Sequence, residues 1–271
     1  MQEKKPAFEK PELTVEELSI ALFQANQKLD LANKQLILNE KERSDFYANI
    51  SHDLRSPMAA INSSIEYLLS QSTWDEKEVR SILTLIQGRS KFLTQMINDI
   101  FMLSALDTSR KSVQPEPIDI GYYLEEFFYD CAADSKYNSR ILRLQVPYEL
   151  DCIVNIDPNL MQRVLDNLFT NALKYSFPGA SIILGAKETD DHQILIFVSD
   201  TGIGISQENL EKIFERSYMV EDARTPGFTQ GCGFGLAIAK SIVTKHNGTI
   251  WCESVLNEGS TFYIKLPIVS S

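Results

Sequence analysis

Ser51-His52-Asp53-Leu54-Arg55-Ser56-Pro57 lies within an apolar stripe formed by Ile50, Leu54, Met58, Ile61, Ile65 and Leu68. Steps of three and four residues mark one face of a helix, so a helix is predicted to run straight through the proline. Proline inside a helix costs about 3 kcal/mol and frees a backbone carbonyl one turn back. The same phase turns His52 and Asp53 off the stripe, toward water. A lone surface histidine is most often merely solvated. An exposed imidazole next to a carboxylate is also a nucleophile whose proton has somewhere to go.

Upstream, a heptad-like seam leads into this helix: Leu18, Leu22, Ala25, Leu29, Ala32, Leu36, Asn39, Arg43, Phe46 and Ile50. Its alternating steps favour a coiled coil, weakened at the polar Asn39 and Arg43. A single amphipathic helix packed on its own domain is the alternative. Downstream, the helix is expected to end near Leu69–Ser72. Ser72 or Thr73, followed by Asp75 and Glu76, reads as a capping box for a second helix. That helix carries Val79, Ile82, Ile86, Leu93, Ile97, Ile100 and Leu103 on one face. The two form a hairpin whose stripes are wide for a two-helix unit, so two hairpins are expected to pair as a four-helix bundle with His52 on its outer face.

The chain is 271 residues long, 44% hydrophobic and 23% charged, with a net charge of -11. Such an acidic balance argues against binding nucleic acid or an anionic membrane. Cys131, Cys152, Cys232 and Cys252 are too scattered for a zinc site or a disulfide scaffold, so reduced thiols are expected. No apolar run reaches the roughly 20 residues that span a bilayer, and the start has no signal-peptide core. Any membrane attachment is expected only through segments absent from this chain.

KSVQPEP at 111–117 reads as a linker, after which the texture changes. A helix is expected around Ile120–Cys131, strands at Ile141–Val146 and Cys152–Ile156, and a helix opened by Asp157-Pro158. Strands at Ser181–Ala186 and Gln193–Ser199, a loop-rich stretch over 202–230, a helix from Phe234 to Lys245, and strands at Thr249–Glu253 and Thr261–Pro267 complete the chain. The expected fold is therefore multi-domain: residues 1–40 as tail and coiled-coil helix, 41–110 as an all-α hairpin, 111–117 as linker, and 118–271 as an α+β two-layer sandwich.

Three clusters in the second half suggest chemistry. Asn167 and Asn171 lie one turn apart, with Lys174 on the same side and Tyr175 next to it; amide oxygens suit Mg²⁺ and a lysine suits phosphates. A polar solvent-facing stripe is the plain alternative. Asp200-Thr201-Gly202-Ile203-Gly204 follows a strand; its aspartate can accept a hydrogen bond from an exocyclic amine such as that of adenine, though a simple turn looks the same. Gly231-Cys232-Gly233-Phe234-Gly235-Leu236 leads into a helix whose exposed N–H groups form a natural phosphate cradle.

In this order the chain resembles the sensor histidine kinases of two-component signalling, over roughly residues 40–268. His52 falls in SHDLRSP, Asn167 and Asn171 in NLFTNALKYS, Asp200, Gly202 and Gly204 in DTGIGI, and Phe214 in IFERSY. Gly231, Gly233 and Gly235 fall in GCGFGLAIAK, and Thr261 in GSTF. The resemblance implies a homodimeric phosphoacceptor hairpin joined to an ATP-binding domain of Bergerat fold, on the cytoplasmic side. It implies autophosphorylation of His52 from ATP, then transfer to an aspartate in the receiver domain of a response regulator. Asp53 would help activate the imidazole, Asn171 with Asn167 would hold Mg²⁺, and Lys174 and Tyr175 would line the phosphates. Asp200 would bind adenine, and residues 205–230 would form a lid; the linker and Pro57 would act as hinges. Ser217 and Met219 replace the family's usual aromatic and basic residues, which puts a phosphate contact on Arg216 or Arg224. Ser56 stands where threonine or asparagine often supports partner dephosphorylation, so weak phosphatase activity is expected. The changed lid also motivates an alternative, a nucleotide-binding pseudokinase serving as a dimeric scaffold.

Overall fold

A computed structural model of the chain describes residues 14–107, 113–148, 150, 152–216, 218 and 233–269, with the side chains of 17, 18, 39, 42, 43, 45 and 46 also outside the description. The expectations for residues 1–12, for the seam side chains Leu18, Asn39, Arg43 and Phe46, and for Ser217, Met219, Arg224, Gly231 and Cys232 therefore lie outside the described residues. The chain divides into two compact units, residues 1–52 and 53–271.

The described part of the first unit is helical. Helix α1, Val15–Ser70, continues without a break through Pro57 into the second unit. The seam residues Leu22, Leu29 and Leu36 are 64%, 61% and 64% exposed. Apolar side chains at that spacing on a bare helix have no core of their own.

In the second unit, helix α2, Glu76–Asp107, follows a short connection, and Tyr67 Oη donates to Glu78 Oε1 at 2.6 Å across it. The capping box expected at Ser72 or Thr73 is not the one used. Asp75 caps α2, its carboxylate accepting from Lys77 N at 3.3 Å and its carbonyl from Val79 N at 3.0 Å. The reason is position: Asp75 immediately precedes the first helical residue, whereas Ser72 and Thr73 lie in the preceding bend. The expected stripe on α2 is only half-buried at Ile82, Ile86, Leu93 and Ile100. Leu103 of that stripe is buried, in a row with Met96, Asp99 and Leu106, on a helix that packs against α6 (Gly235–Lys245).

The rest is a two-layer sandwich. The linker read over 111–117 ends in structure: Glu116–Asp119 is strand β1, antiparallel to β3 (Ile153–Ile156). Helix α3 is Ile120–Ala133 and β2 is Ile141–Gln145. Helix α4, Pro158–Lys174, starts where the sequence says it should. Asp157 is the N-cap, its side chain accepting from Leu160 N, with proline in the first turn. Strands β4 (Ser181–Thr189) and β5 (Gln193–Asp200) are longer than the apolar runs that revealed them, as is β7 (Gly259–Pro267) beside β6 (Thr249–Val255). A one-turn helix, α5, occupies Gln207–Leu210.

The five-stranded sheet has the order β2-β4-β5-β7-β6, with β2 parallel to β4 and the other pairs antiparallel. One face carries Ile182, Leu184, Ile196, Val198, Phe262 and Ile264, buried with Leu165, Leu168 and Phe169 of α4 and Ile238 and Ile242 of α6. Each such side chain contributes about 1.5–3 kcal/mol by leaving water. The other face bears an aromatic row in register: Phe197 lies over Gly185, where a Cβ would meet its ring at 2.1 Å, and Tyr263 stacks on Trp251 at 5.1 Å. Among the described residues, Cys131, Cys152 and Cys252 are thiols outside any disulfide, and Cys152 Sγ lies 3.9 Å from Glu188 Oε2. Among the described residues no helix is long and apolar enough to cross a membrane.

Candidate functional site

Three segments meet at the end of the sheet where β5 gives way to a glycine turn. Alternation along β5 points Ile194, Ile196, Val198 and Asp200 to the helical side, so the carboxylate at the strand's end is 8% exposed. Its Oδ1 accepts from Gly202 N at 2.8 Å, and the Ser260 backbone donates to it as well. Burial outweighs these two bonds and pushes its pKa up to about 6.

The turn after Asp200 requires glycine. A Cβ at Gly202 would lie 2.2 Å from the Tyr175 carbonyl oxygen, and Gly204 has φ +67° with the Val255 carbonyl 2.0 Å from where its Cβ would be. Ile203 N donates to Tyr175 O at 3.0 Å, Asn257 N to Ile203 O at 2.7 Å, and Ile205 N to Ser254 Oγ at 2.8 Å. The turn is thus stitched to the end of α4 on one side and to the β6–β7 turn on the other.

Helix α4 presents Asn167, Asn171, Lys174 and Tyr175, all half-buried. Asn167 Nδ2 donates to Gly235 O at 3.0 Å, which commits its nitrogen to the first turn of α6. Lys174 Nζ donates to Tyr175 Oη at 2.8 Å and sits 4.5 Å from the centre of that ring. Gly233, with φ +69°, turns the chain into α6, whose N-cap is the buried Phe234. A Cβ on Gly235 would press on Asn167 Oδ1 at 3.3 Å, so glycine keeps α4 and α6 close here. Leu236 is half-buried in the same turn. Phe214 packs edge-on against Phe262 at 6.4 Å, with Lys240 Nζ 5.9 Å from its ring centre.

The geometry therefore brings together Asn167, Asn171, Lys174, Tyr175, Asp200, Gly202, Gly204, Gly233, Gly235 and Leu236. Two expected members stand elsewhere. Thr261 pairs with Ser199 across the ladder, their hydroxyls 2.8 Å apart on the sheet face opposite Asp200. The period of two in a strand forces this, and it puts the neighbouring Ser260, 7% exposed, on the side of Asp200. Ser260 Oγ lies 2.9 Å from Ser254 Oγ, which donates to Gly259 O at 2.7 Å. Counting the alternation back from Phe262 and Ile264 would have found it. Arg216, expected to reach a phosphate, instead pairs with Asp107 at 2.7 Å, at the end of α2. His52 is exposed on α1 and Asp53 is half-buried.

A further residue, silent in the sequence, completes the site. Arg140, just before β2, donates from Nε to Ser176 Oγ at 2.8 Å, and from Nη2 to Leu173 O at 3.0 Å and Ser176 O at 2.8 Å. A cation on the last carbonyls of α4 suits the negative end of its dipole. It fixes the turn whose Tyr175 carbonyl supports Gly202 and Ile203.

Residues 42–109 match the His Kinase A (phospho-acceptor) domain, and residues 156–270 match the histidine kinase-, DNA gyrase B- and HSP90-like ATPase family. The chain is similar to the sensor protein kinase WalK of Staphylococcus epidermidis, 35% identical over 242 residues, covering 88% of this chain and 38% of that protein. With WalK of Staphylococcus aureus it is 34% identical over 239 residues, covering 88% of this chain and 56% of that protein. The chain thus spans well under two thirds of the curated relatives it matches. In fold it is similar to the histidine kinase ThkA in complex with response regulator protein TrrA, with a TM-score of 0.68 at 20% identity, over 92% of this chain and 67% of that one. It is likewise similar to the histidine kinase AdeS of Acinetobacter baumannii, with a TM-score of 0.60 at 21% identity, over 81% of this chain and 98% of that one.

Proposed function

We propose that this chain, which belongs to the sensor histidine kinases, takes the γ-phosphoryl group of ATP onto His52 and passes it to an aspartate on the receiver domain of a response regulator. What chiefly supports this reading is the meeting of a buried carboxylate, a glycine turn and a helix N-terminus around the amides of α4. Such a cradle accepts an adenine at one end and a phosphate chain at the other.

In this reading Asp200 accepts the exocyclic amine of adenine while Gly202 and Gly204 let the backbone approach the ring. The first turn of α6, from Gly233 through Leu236, faces the phosphates with its N–H groups, and Lys174 adds a positive charge. The donor set fits Mg²⁺: Asn171 with Asn167 offers neutral oxygens of the hard kind that ion takes alongside phosphates. Bound there, Mg²⁺ would neutralise charge on the phosphates. An imidazole nitrogen of His52 forms the new bond to phosphorus as the bond to the ADP oxygen breaks, and the proton on the ring passes toward Asp53. An aspartate carboxylate of the partner later takes the phosphoryl group from the ring.

The exposed seam on α1 and the half-buried stripes of the hairpin call for a second copy, giving a homodimeric bundle over roughly 41–110 beside an ATP-binding domain over 118–271. The site faces the cytoplasm; most of the stretch 205–230, read from the sequence as a lid, lies outside the described residues. With Ser56 in SHDLRSP, phosphatase activity toward the partner is weak. Incubation with γ-labelled ATP tests the whole reading. Acid-labile, base-stable label that disappears in His52→Gln is expected; wild-type protein that takes up no label under magnesium and millimolar ATP overturns it, and binding of ATP without label makes it a scaffold.

A further inference from the structure

His246 lies at the far end of α6 from the glycine turn and is 4% exposed. Its Nε2 is 2.8 Å from Asp157 N, and its Nδ1 is 2.8 Å from Ile242 O. A backbone N–H only donates and a carbonyl only accepts, so the ring is neutral, with its proton on Nδ1 and its lone pair on Nε2. The residue it holds, Asp157, has two further tasks. Oδ1 accepts from Leu160 N at 3.1 Å and caps α4, while Oδ2 accepts from Gln114 N at 3.2 Å in the segment arriving from α2.

The two helices of the site are therefore tied at both ends. Asn167 joins Gly235 where the nucleotide cradle lies, and Asp157 joins His246 about ten residues, or roughly 15 Å, further along α4. One tie lets two packed helices slide or pivot; two ties fix their register. That register sets how the first turn of α6 faces Asn171. Asp157 also places the incoming chain on the same node, since Gln114 lies two residues before the start of β1 and its pairing with β3.

We propose that His246 is a positioning residue for the nucleotide site, and that Asp157 is the junction through which the segment leaving the helical hairpin is held to both α4 and α6. This rests on the kinase reading. The ring touches no reacting atom; it acts by accepting the Asp157 N–H, so only a side chain that presents an acceptor at the position of Nε2 can replace it.

The test compares His246→Gln with His246→Asn in the whole chain, reading ATP affinity by calorimetry, the rate of His52 labelling at saturating ATP, and the melting temperature. Glutamine places its amide oxygen near the position of Nε2, whereas asparagine reaches only the position of Nδ1. ATP affinity within about twofold of wild type is expected for glutamine, and a loss of about tenfold for asparagine, which is RT ln 10 or about 1.4 kcal/mol. Asp157→Asn keeps a good N-cap but weakens the hold on Gln114. It is expected to leave ATP affinity unchanged and to slow labelling of His52 several-fold. Equal ATP affinities for the glutamine and asparagine variants overturn the positioning role, and wild-type labelling in Asp157→Asn overturns the junction. A wild-type protein that binds no ATP refutes the kinase reading instead, which keeps the two failures apart.

Discussion

Asp200→Asn separates what the site does for the fold from what it does for a ligand. The folded carboxyl titrates near pH 6, against 3.8 for the group at rest, because burial disfavours the ionised form more than its two backbone bonds favour it. That difference amounts to about 3 kcal/mol. The sign follows from proton binding: between about pH 4 and 6 the folded state holds a proton that the unfolded state has released, so stability falls as pH rises through that window. Above it, ionised Asp200 costs the fold the full amount. Asparagine removes that charge but brings one oxygen where Gly202 and Ser260 both donate, and setting its amide group against an N–H costs about 1–3 kcal/mol. The charge term wins narrowly. The variant without ligand is expected to be as stable as wild type or up to about 2 kcal/mol more stable at pH 7.5. This advantage vanishes near pH 4.5. ATP affinity is expected to fall roughly tenfold to a hundredfold, the worth of a bond to a charged acceptor. Thermal unfolding from pH 4.5 to 8 and titration calorimetry check this. A variant destabilised by several kcal/mol at pH 7.5, or one that binds ATP as wild type does, refutes the reasoning.

Gly204→Ala places a methyl group 2.0 Å from the Val255 carbonyl at φ +67°, so a loss of more than about 2 kcal/mol is expected in urea melts, with ATP binding abolished. Arg140→Lys gives up the planar fork that holds Leu173 and Ser176; a loss of about 1–2 kcal/mol and several-fold weaker ATP binding are expected, and unchanged calorimetry would count against its support of the Gly202 turn. Arg163 pairs with Asp99, a 6% exposed carboxyl that burial raises and that Arg163 pulls back down. In Arg163→Gln that carboxyl rises further, so the variant is expected to lose about 1–3 kcal/mol at pH 8 and to regain part of it at pH 5. Equal melting losses at both pH values would exclude this account.

The sequence by itself determined the elements and the chemistry-bearing turns. Local signals carry these: the stripe through Pro57, the Asp157-Pro158 start of α4, and glycines at 202, 204, 233 and 235 each depend on near neighbours in the chain. Asp200 was legible because a strand end and a glycine turn adjoin it. The tertiary structure alone decided which side chains share the site. Thr261 and Ser260 differ by one step along β7, and the pairing with Ser199 sets which of them faces Asp200. Arg216 meets Asp107 across 109 positions of sequence, Arg140 meets the end of α4 across 33 to 36, and His246 meets Asp157 across 89. The buried row Met96, Asp99, Leu103 and Leu106 carries an acid in mid-stripe, and Arg163, 64 positions away, supplies its partner. Periodicity reports which residues a local backbone brings to one face. Which face then meets which neighbour is settled by packing between distant segments, and a linear pattern holds no record of that.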